Sequence, residues 1–248
     1  MKRLMLYMGG NLPMETLDWP WVEDSIYLEP ALKHASFLNL SLTDSDRVTR
    51  LQSYYKFVIV RNPLERIVSV FRDKVEPPLK HDPKTWDQFP DKFKLEILQK
   101  YRADELLYWQ KMAQHKEFNI SVPFSEFIRY LIDTDWTDLQ EHFQPQIQVC
   151  HPCLVKYNFY GNFRNYSSDV AQLIRRFQTN PKFYKDKSLH TNSDRTNRHL
   201  AHYYNTLLHR DKLQLLGKWY DEFAFYYTLY PSERFAHFKL LGIHEPVF

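Results

Sequence analysis

Tyr55-Lys56-Phe57-Val58-Ile59-Val60-Arg61-Asn62-Pro63-Leu64-Glu65-Arg66-Ile67-Val68-Ser69-Val70-Phe71-Arg72-Asp73-Lys74 is the stretch on which the fold turns. The apolar run from Tyr54 to Val60 predicts a buried strand of the parallel kind. Arg61-Asn62-Pro63 breaks it, and Pro63 suits the first position of a helix. Leu64, Ile67, Val68, Phe71 and Val75 then recur at helical spacing, so a helix is expected to pack on the sheet. This order puts Arg61 at the C-terminal end of a strand, where open α/β sheets bind ligands. The start of the following helix offers unpaired N–H groups and a positive dipole end to an anion. Ser69, eight residues beyond Arg61, is expected on the ligand side, its hydroxyl donating to a phosphate oxygen. Arg72 and Lys74 extend the positive field, and Arg66 and Lys74 read as the exposed face of an amphipathic helix.

Outward from this segment, residues 1–9 resemble a helix start, with Leu4, Met5 and Met8 on one side. Pro13 to Pro30 is turn-rich and irregular. Helices are predicted over residues 91–116 and 124–133, the second with the stripe Phe124, Phe127, Ile128 and Leu131. A second strand is predicted from Tyr157 to Phe163, then a helix from Ser168 to Gln178. Helical patterns run from Arg198 to Tyr230, broken near Gly217. Helices around a small buried sheet make an α/β layer architecture.

The 248 residues suit one large domain, and 44% hydrophobic with 25% charged residues excludes global disorder. Seventeen Tyr, 18 Phe and 6 Trp supply ample core material, while only five Gly disfavour glycine-rich phosphate loops. No apolar run approaches the roughly 18–20 residues of a membrane span. The net charge of +3 is unevenly spread: residues 1–50 carry −2, residues 51–150 carry −1 and residues 151–248 carry +6. The basic C-terminal part suits either an anionic partner or a solvated surface. No Gly-x-x-x-x-Gly-Lys-Ser/Thr loop and no nucleic-acid-binding motif is present, which disfavours a kinase and a nucleic-acid partner.

The two cysteines lie in Val149-Cys150-His151-Pro152-Cys153. Zinc would need further soft ligands, so no metal site is expected. The pair precedes Leu154-Val155-Lys156-Tyr157, which reads as a strand, whereas a thioredoxin-like motif sits at a strand-to-helix turn. Structural cysteines, paired or buried, are therefore expected rather than redox ones. Sequons occur at Asn39, Asn119 and Asn165 where chance predicts about one, a pointer to a secretory lumen.

A second long motif joins the first: Glu141-His142-Phe143-Gln144-Pro145-Gln146, then the cysteine pair, then Tyr157-Asn158-Phe159-Tyr160-Gly161. The segment from Arg61-Asn62-Pro63 through Ser69 to Arg72-Asp73-Lys74 resembles the 3′-phosphate-binding motif of sulfotransferases that use 3′-phosphoadenosine 5′-phosphosulfate. Its Arg-Asp-Lys ending is similar to that of the Golgi carbohydrate sulfotransferases of the HNK-1/chondroitin/dermatan group (sulfotransferase family 2). The second motif resembles, in the same order, that group's Glu-His-Trp run, Cys-x-Pro-Cys pair and Tyr-Asp-x-x-Gly strand. The likeness runs from Lys2 to about Tyr230.

The resemblance implies a sulfotransferase fold of the P-loop-NTPase-like kind, with a small central parallel sheet flanked by helices, in a single domain over residues 1–248. It implies transfer of a sulfuryl group from the nucleotide donor to a hydroxyl of a glycosaminoglycan or glycoprotein glycan. No metal is implied. Arg61 and Ser69 would bind the donor's 3′-phosphate, and His142 would be the general base, with Glu141 orienting its ring or a neighbouring group. His81 and His151 are the substitutes for His142. Two departures fall in the glycine-bearing strand, where the usual Asp is Asn158 and the usual Glu after the glycine is Arg164. The group's 5′-phosphosulfate loop is a Pro-Lys-x-x-x-Ser/Thr-x segment running into Trp-Lys-Arg-x-Leu. Here Met1-Lys2-Arg3-Leu4 resembles that helix start, so the loop and a type II membrane anchor are expected upstream of Met1. Lys92 and Lys94 follow Pro90 but lie in a charged helical stretch and do not replace it. The expectation is an N-terminally truncated sulfotransferase of the Golgi membrane, lumenal side. The alternative is a catalytically impaired module that binds nucleotide or glycan.

Overall fold

The computed structural model describes residues 43–77, 91–112, 121–178 and 192–243. They form two compact units: residues 43–59 with 155–178, and residues 60–77, 91–112, 121–154 and 192–243. The helix expected over residues 1–9, the irregular stretch from Pro13 to Pro30, His81, and the sequons at Asn39 and Asn119 lie outside the described residues.

In the first unit, α1 (Asp44–Ser53) opens on a reciprocal cap. Thr43 Oγ1 accepts from the Asp46 N–H at 3.1 Å, and the Asp46 carboxylate accepts from the Thr43 N–H at 2.9 Å. The Thr43 hydroxyl also donates to the Asp46 carboxylate at 2.7 Å, and this bond together with that from the Thr43 N–H holds the Asp46 carboxyl below its ordinary pKa. The helix buries no residue. Strands β1 (Phe57–Val60) and β2 (Phe159–Asn162) pair as a two-stranded parallel sheet, the whole of the sheet structure among the described residues. Both are shorter than the apolar runs suggested. Ser53 still belongs to α1 and Tyr54 caps it, so β1 starts only at Phe57, and of its residues Val60 alone is fully buried. Leu154 to Tyr157, read as strand, is a turn followed by irregular chain.

The departure at Asn158 is accommodated without loss. Its side-chain oxygen accepts from the Lys56 N–H at 2.8 Å and its own N–H donates to the Lys56 carbonyl at 2.7 Å. An aspartate would supply the same acceptor, so the strand entry is indifferent to the exchange. Arg164, the other departure, is exposed. Gly161 is closely packed: a Cβ there would run into Ile59 Cδ1 and sit 3.0 Å from Asp169 Oδ2, so both side chains would have to give way. Behind it, α7 (Tyr166–Arg176) buries Val170, Leu173 and Ile174, and Asp169 Oδ2 accepts from the Asn162 N–H at 2.6 Å. Asn165, the one sequon residue described, is exposed just ahead of α7.

The second unit is helical and its core is aromatic. Helix α2 (Pro63–Val70) starts on Pro63 as expected and runs on into a π-helical turn, Phe71–Val75, whose Glu76 N–H reaches back to the Phe71 carbonyl at 2.8 Å. Where one helix was expected over residues 91–116, α3 (Asp91–Tyr101) and α4 (Ala103–Met112) meet at Arg102, and the remainder lies outside the described residues. The Arg102 guanidinium is engaged by Glu126 at 3.1 Å and by the Ser121 carbonyl at 2.7 Å. Helix α5 (Phe124–Asp133) matches its predicted range and stripe. Beyond it come α6 (Gln146–Cys150), α8 (Asn192–Asn205), α9 (His209–Lys218), α10 (Tyr220–Leu229) and α11 (Arg234–Leu240). The expected break near Gly217 falls at Trp219, and a second one lies between α8 and α9. Phe71, Phe93, Phe124, Phe127 and Phe143 form the centre, with Phe93 and Phe143 stacked at 3.9 Å between ring centroids. Tyr204, fully buried, donates to the Leu64 carbonyl at 3.2 Å and fastens α8 to α2. No helix among the described residues is long and apolar enough to cross a membrane.

Candidate functional site

Helix α2 and the π-helical turn after it carry two stripes. Leu64, Ile67, Val68 and Phe71 face the core, while Arg66, Ser69, Val70 and Asp73, spaced three, four and seven apart, face a cleft. The cleft holds about 370 Å³, lies wholly in the second unit, and is completed by Arg61, Glu141, His142 and Val149. Arg61, Ser69 and His142, singled out from two separate motifs, thus line one space. His151 does not join them; it is exposed and ends α6 in the left-handed conformation at φ 46°.

The residues just before α2 set the Arg61 backbone. Its N–H donates to Gln146 Oε1 at 2.9 Å and its carbonyl accepts from Gln146 Nε2 at 2.8 Å, a two-bond clamp. Gln146 Nε2 also donates to Glu222 Oε1 at 3.0 Å, and Glu222 Oε2 accepts from the Ile147 N–H at 2.8 Å. Glu222, on α10 and only 1% exposed, therefore fixes the start of α6 and, through Gln146, the position of Arg61.

One expectation is corrected here. The first N–H groups of α2 are not offered to an anion: Asn62 Oδ1 accepts from Leu64 at 3.0 Å and Glu65 at 3.3 Å, and Pro63 has no N–H. Asn62 is buried, and its cap satisfies the helix end internally. The groups of the cleft that suit an anion are side chains, the two guanidinium groups and the Ser69 hydroxyl. Burial pulls the Arg61 pKa down, opposed by the Glu65 carboxylate and reinforced by Arg66. Burial also lowers that of Arg66, opposed by Glu222 and Cys150. Arginine starts so high that both stay cationic.

Arg66 is the second correction. It is half-buried, lines the cleft, and its Nη2 donates to the His142 carbonyl at 3.3 Å. The signal was in the sequence, since Arg66 precedes Ser69 by three and so shares its face. Lys74, in contrast, pairs with Asp73 at 3.1 Å at the surface. Lys94 is buried on Asp91 at 3.0 Å, a structural ion pair. The imidazole of His142 is met by Gln140, whose Oε1 lies 2.9 Å from Nδ1, not by Glu141.

A family model described as the sulfotransferase family matches residues 1–228. The chain belongs to the sulfotransferase family. It is 33% identical over 186 residues to carbohydrate sulfotransferase 9 of Homo sapiens, covering 73% of this chain and 39% of that protein. It is 31% identical to carbohydrate sulfotransferase 14 of Homo sapiens over 182 residues, covering 73% and 41%. Against carbohydrate sulfotransferase 8 of Mus musculus it is 31% identical over 209 residues, covering 82% and 45%. The chain spans about two fifths of the length of the first two relatives. No solved structure matches it.

In this member of the family the cysteine pair departs from expectation. Cys150 is half-buried and Cys153 exposed, and no disulfide joins them, so neither a disulfide nor full burial is observed. Burial and the Glu222 charge push the Cys150 thiol up, opposed by Arg66, which disfavours a reactive thiolate. Among the described residues no group of three or more His, Cys, Asp or Glu could hold a metal ion. Sequence reasoning missed Gln146 and Glu222 as supports; Gln146 stood inside the second motif, but Glu222 had no local signal.

Proposed function

We propose that this chain is a carbohydrate sulfotransferase domain, spanning residues 1–248 on the sulfotransferase fold and acting in the Golgi lumen. It takes a sulfuryl group from 3′-phosphoadenosine 5′-phosphosulfate and passes it to a hydroxyl of a glycosaminoglycan or glycoprotein glycan. The observation that carries this reading is the convergence of Arg61, Ser69 and His142 on one cleft. The names of the relatives, all carbohydrate sulfotransferases, support the same class.

The donor brings an activated sulfuryl group whose leaving group is a phosphate. In this chain Arg61 and Ser69 bind the 3′-phosphate, a guanidinium supplying charge and a hydroxyl supplying direction. His142 accepts the proton of the sugar hydroxyl as its oxygen bonds to sulfur, and the sulfur–oxygen bond to phosphate breaks with its electron pair leaving on the phosphate. Asp73 and Glu141, carboxylates in the same cleft, are acceptors for other sugar hydroxyls. Positioning of the two substrates supplies most of the rate.

Titration calorimetry with the desulfated nucleotide, 3′-phosphoadenosine 5′-phosphate, tests the site. Losing a charge-assisted bond worth about 1.5–3 kcal/mol, Arg61→Ala should weaken binding roughly 10- to 100-fold. Ser69→Ala should weaken it by about three- to tenfold, the value of a neutral hydrogen bond. Unchanged affinity in both variants removes the assignment. Labelled-sulfate transfer onto chondroitin, dermatan and glycoprotein acceptors tests turnover, by the chain itself and with a 5′-phosphosulfate loop fused upstream. Binding without transfer in either form makes the chain a binding module.

A further inference from the structure

The loop ahead of α6 holds the His142 imidazole in one chemical form. Gln140 Oε1 receives two groups of the same residue: the His142 backbone N–H at 2.8 Å and the ring Nδ1 at 2.9 Å. A backbone N–H only donates, so the Gln140 atom facing it is the oxygen and not the amide nitrogen. That oxygen only accepts, so Nδ1 must carry the ring proton. Nε2 is then the nitrogen with the basic lone pair. The same loop is pinned twice more, by Arg66 on the His142 carbonyl at 3.3 Å and by Phe143, 1% exposed and stacked on Phe93.

We infer that Gln140 is a positioning residue: by accepting from both the backbone and Nδ1 of His142, it locks the tautomer in which Nε2 takes the acceptor's proton. The inference rests on the reading of His142 as the base and deepens it. Without Gln140 the imidazole is free to carry its proton on Nε2, the form that cannot receive another there. A glutamine does this without adding a charge beside the ring, whereas a carboxylate there would favour imidazolium. The other charged groups of the cleft are Arg61, Arg66, Asp73 and Glu141, and all are retained in the variants below.

Long-range nitrogen–proton NMR of the ring reads the tautomer directly, with no need for turnover. The expected result is a protonated Nδ1 and a bare-type Nε2 signal for His142, lost in Gln140→Leu and kept in Gln140→Glu. Gln140→Glu should also raise the His142 titration midpoint by about 1–2 pH units, since a carboxylate now faces the imidazolium. In transfer assays Gln140→Leu should lower kcat by about 100-fold with the desulfated-nucleotide affinity unchanged. Gln140→Glu should restore kcat while moving the acidic limb of the rate profile to higher pH, because the base must be neutral to act. An Nε2-protonated ring in the unaltered chain, or a tautomer insensitive to Gln140→Leu, overturns the inference. So does a correct tautomer with unchanged kcat in Gln140→Leu. If His142→Ala keeps its turnover while the tautomer behaves as expected, it is the base assignment that falls, and the positioning role with it; the ring contact alone then stands.

Discussion

Replacing Glu222 by glutamine probes the support of the site at its least visible point. The carboxylate meets two donors, Gln146 Nε2 at 3.0 Å and the Ile147 N–H at 2.8 Å, one on each oxygen. An amide of the same shape keeps one acceptor and turns the other into a donor, so one of these partners faces an N–H₂ group. One charge-assisted bond, worth about 1.5–3 kcal/mol, is lost, the other becomes a neutral one, and a buried donor is left unsatisfied. Glu222 also opposes the desolvation of the nearby Arg66 guanidinium, and that relief disappears. The expected destabilisation is about 3 kcal/mol, a factor of more than 100 in the folding equilibrium. Urea denaturation of Glu222→Gln beside the unaltered chain measures it, with the slope of the transition unchanged. Because Gln146 loses one of its anchors, the Arg61 clamp loosens, and desulfated-nucleotide affinity should fall, though less than in Arg61→Ala. A loss below about 0.5 kcal/mol, the range of an ordinary surface exchange, would refute the two-donor account of Glu222.

Phe143→Ala should cost about 3–5 kcal/mol by emptying the stack on Phe93, and should cut transfer further by releasing the His142 loop; thermal unfolding and kcat check the two effects. Gly161→Ala should destabilise the chain by about 1–3 kcal/mol, because the added methyl meets Ile59, Asp169 and Phe159 together; a neutral effect in urea denaturation would count against that packing. The Tyr203 hydroxyl, pushed up to about 12 by burial and by its hydrogen bond to Glu76, keeps its proton longer in the folded than in the unfolded chain. The folded state then binds more protons above the ordinary tyrosine range, so this stabilisation is whole below about pH 10 and is lost as the pH rises towards 12. Tyr203→Phe should flatten that part of the stability profile, read as urea midpoints across the range.

Local pattern made much of the architecture legible. Pro63 and the apolar spacing after it announce α2, and the stripe of α5 is found on the residues that carry it. Element ends were less legible because they depend on caps and partners. The helix ending at Ser53 takes Tyr54, the first residue of the expected strand, as its cap, and Arg102, drawn to Glu126 and Ser121, divides a helix that reads as continuous. The start of α2 shows the same limit. A helix N-terminus suggests an anion site, but Asn62, one residue upstream, closes it from within.

The sequence by itself determined the motifs, their order, and the residue types a sulfuryl-transfer site would use: Arg61, Ser69 and His142. Spacing along one helix even contained the place of Arg66. What only the tertiary structure decided is which groups hold these in place. Gln146 lies 85 residues from Arg61, and Glu222 lies 76 residues from Gln146, so no local periodicity links them. Their pairing follows from burial, because a desolvated carboxylate and a desolvated amide must find hydrogen-bond partners wherever the fold brings them.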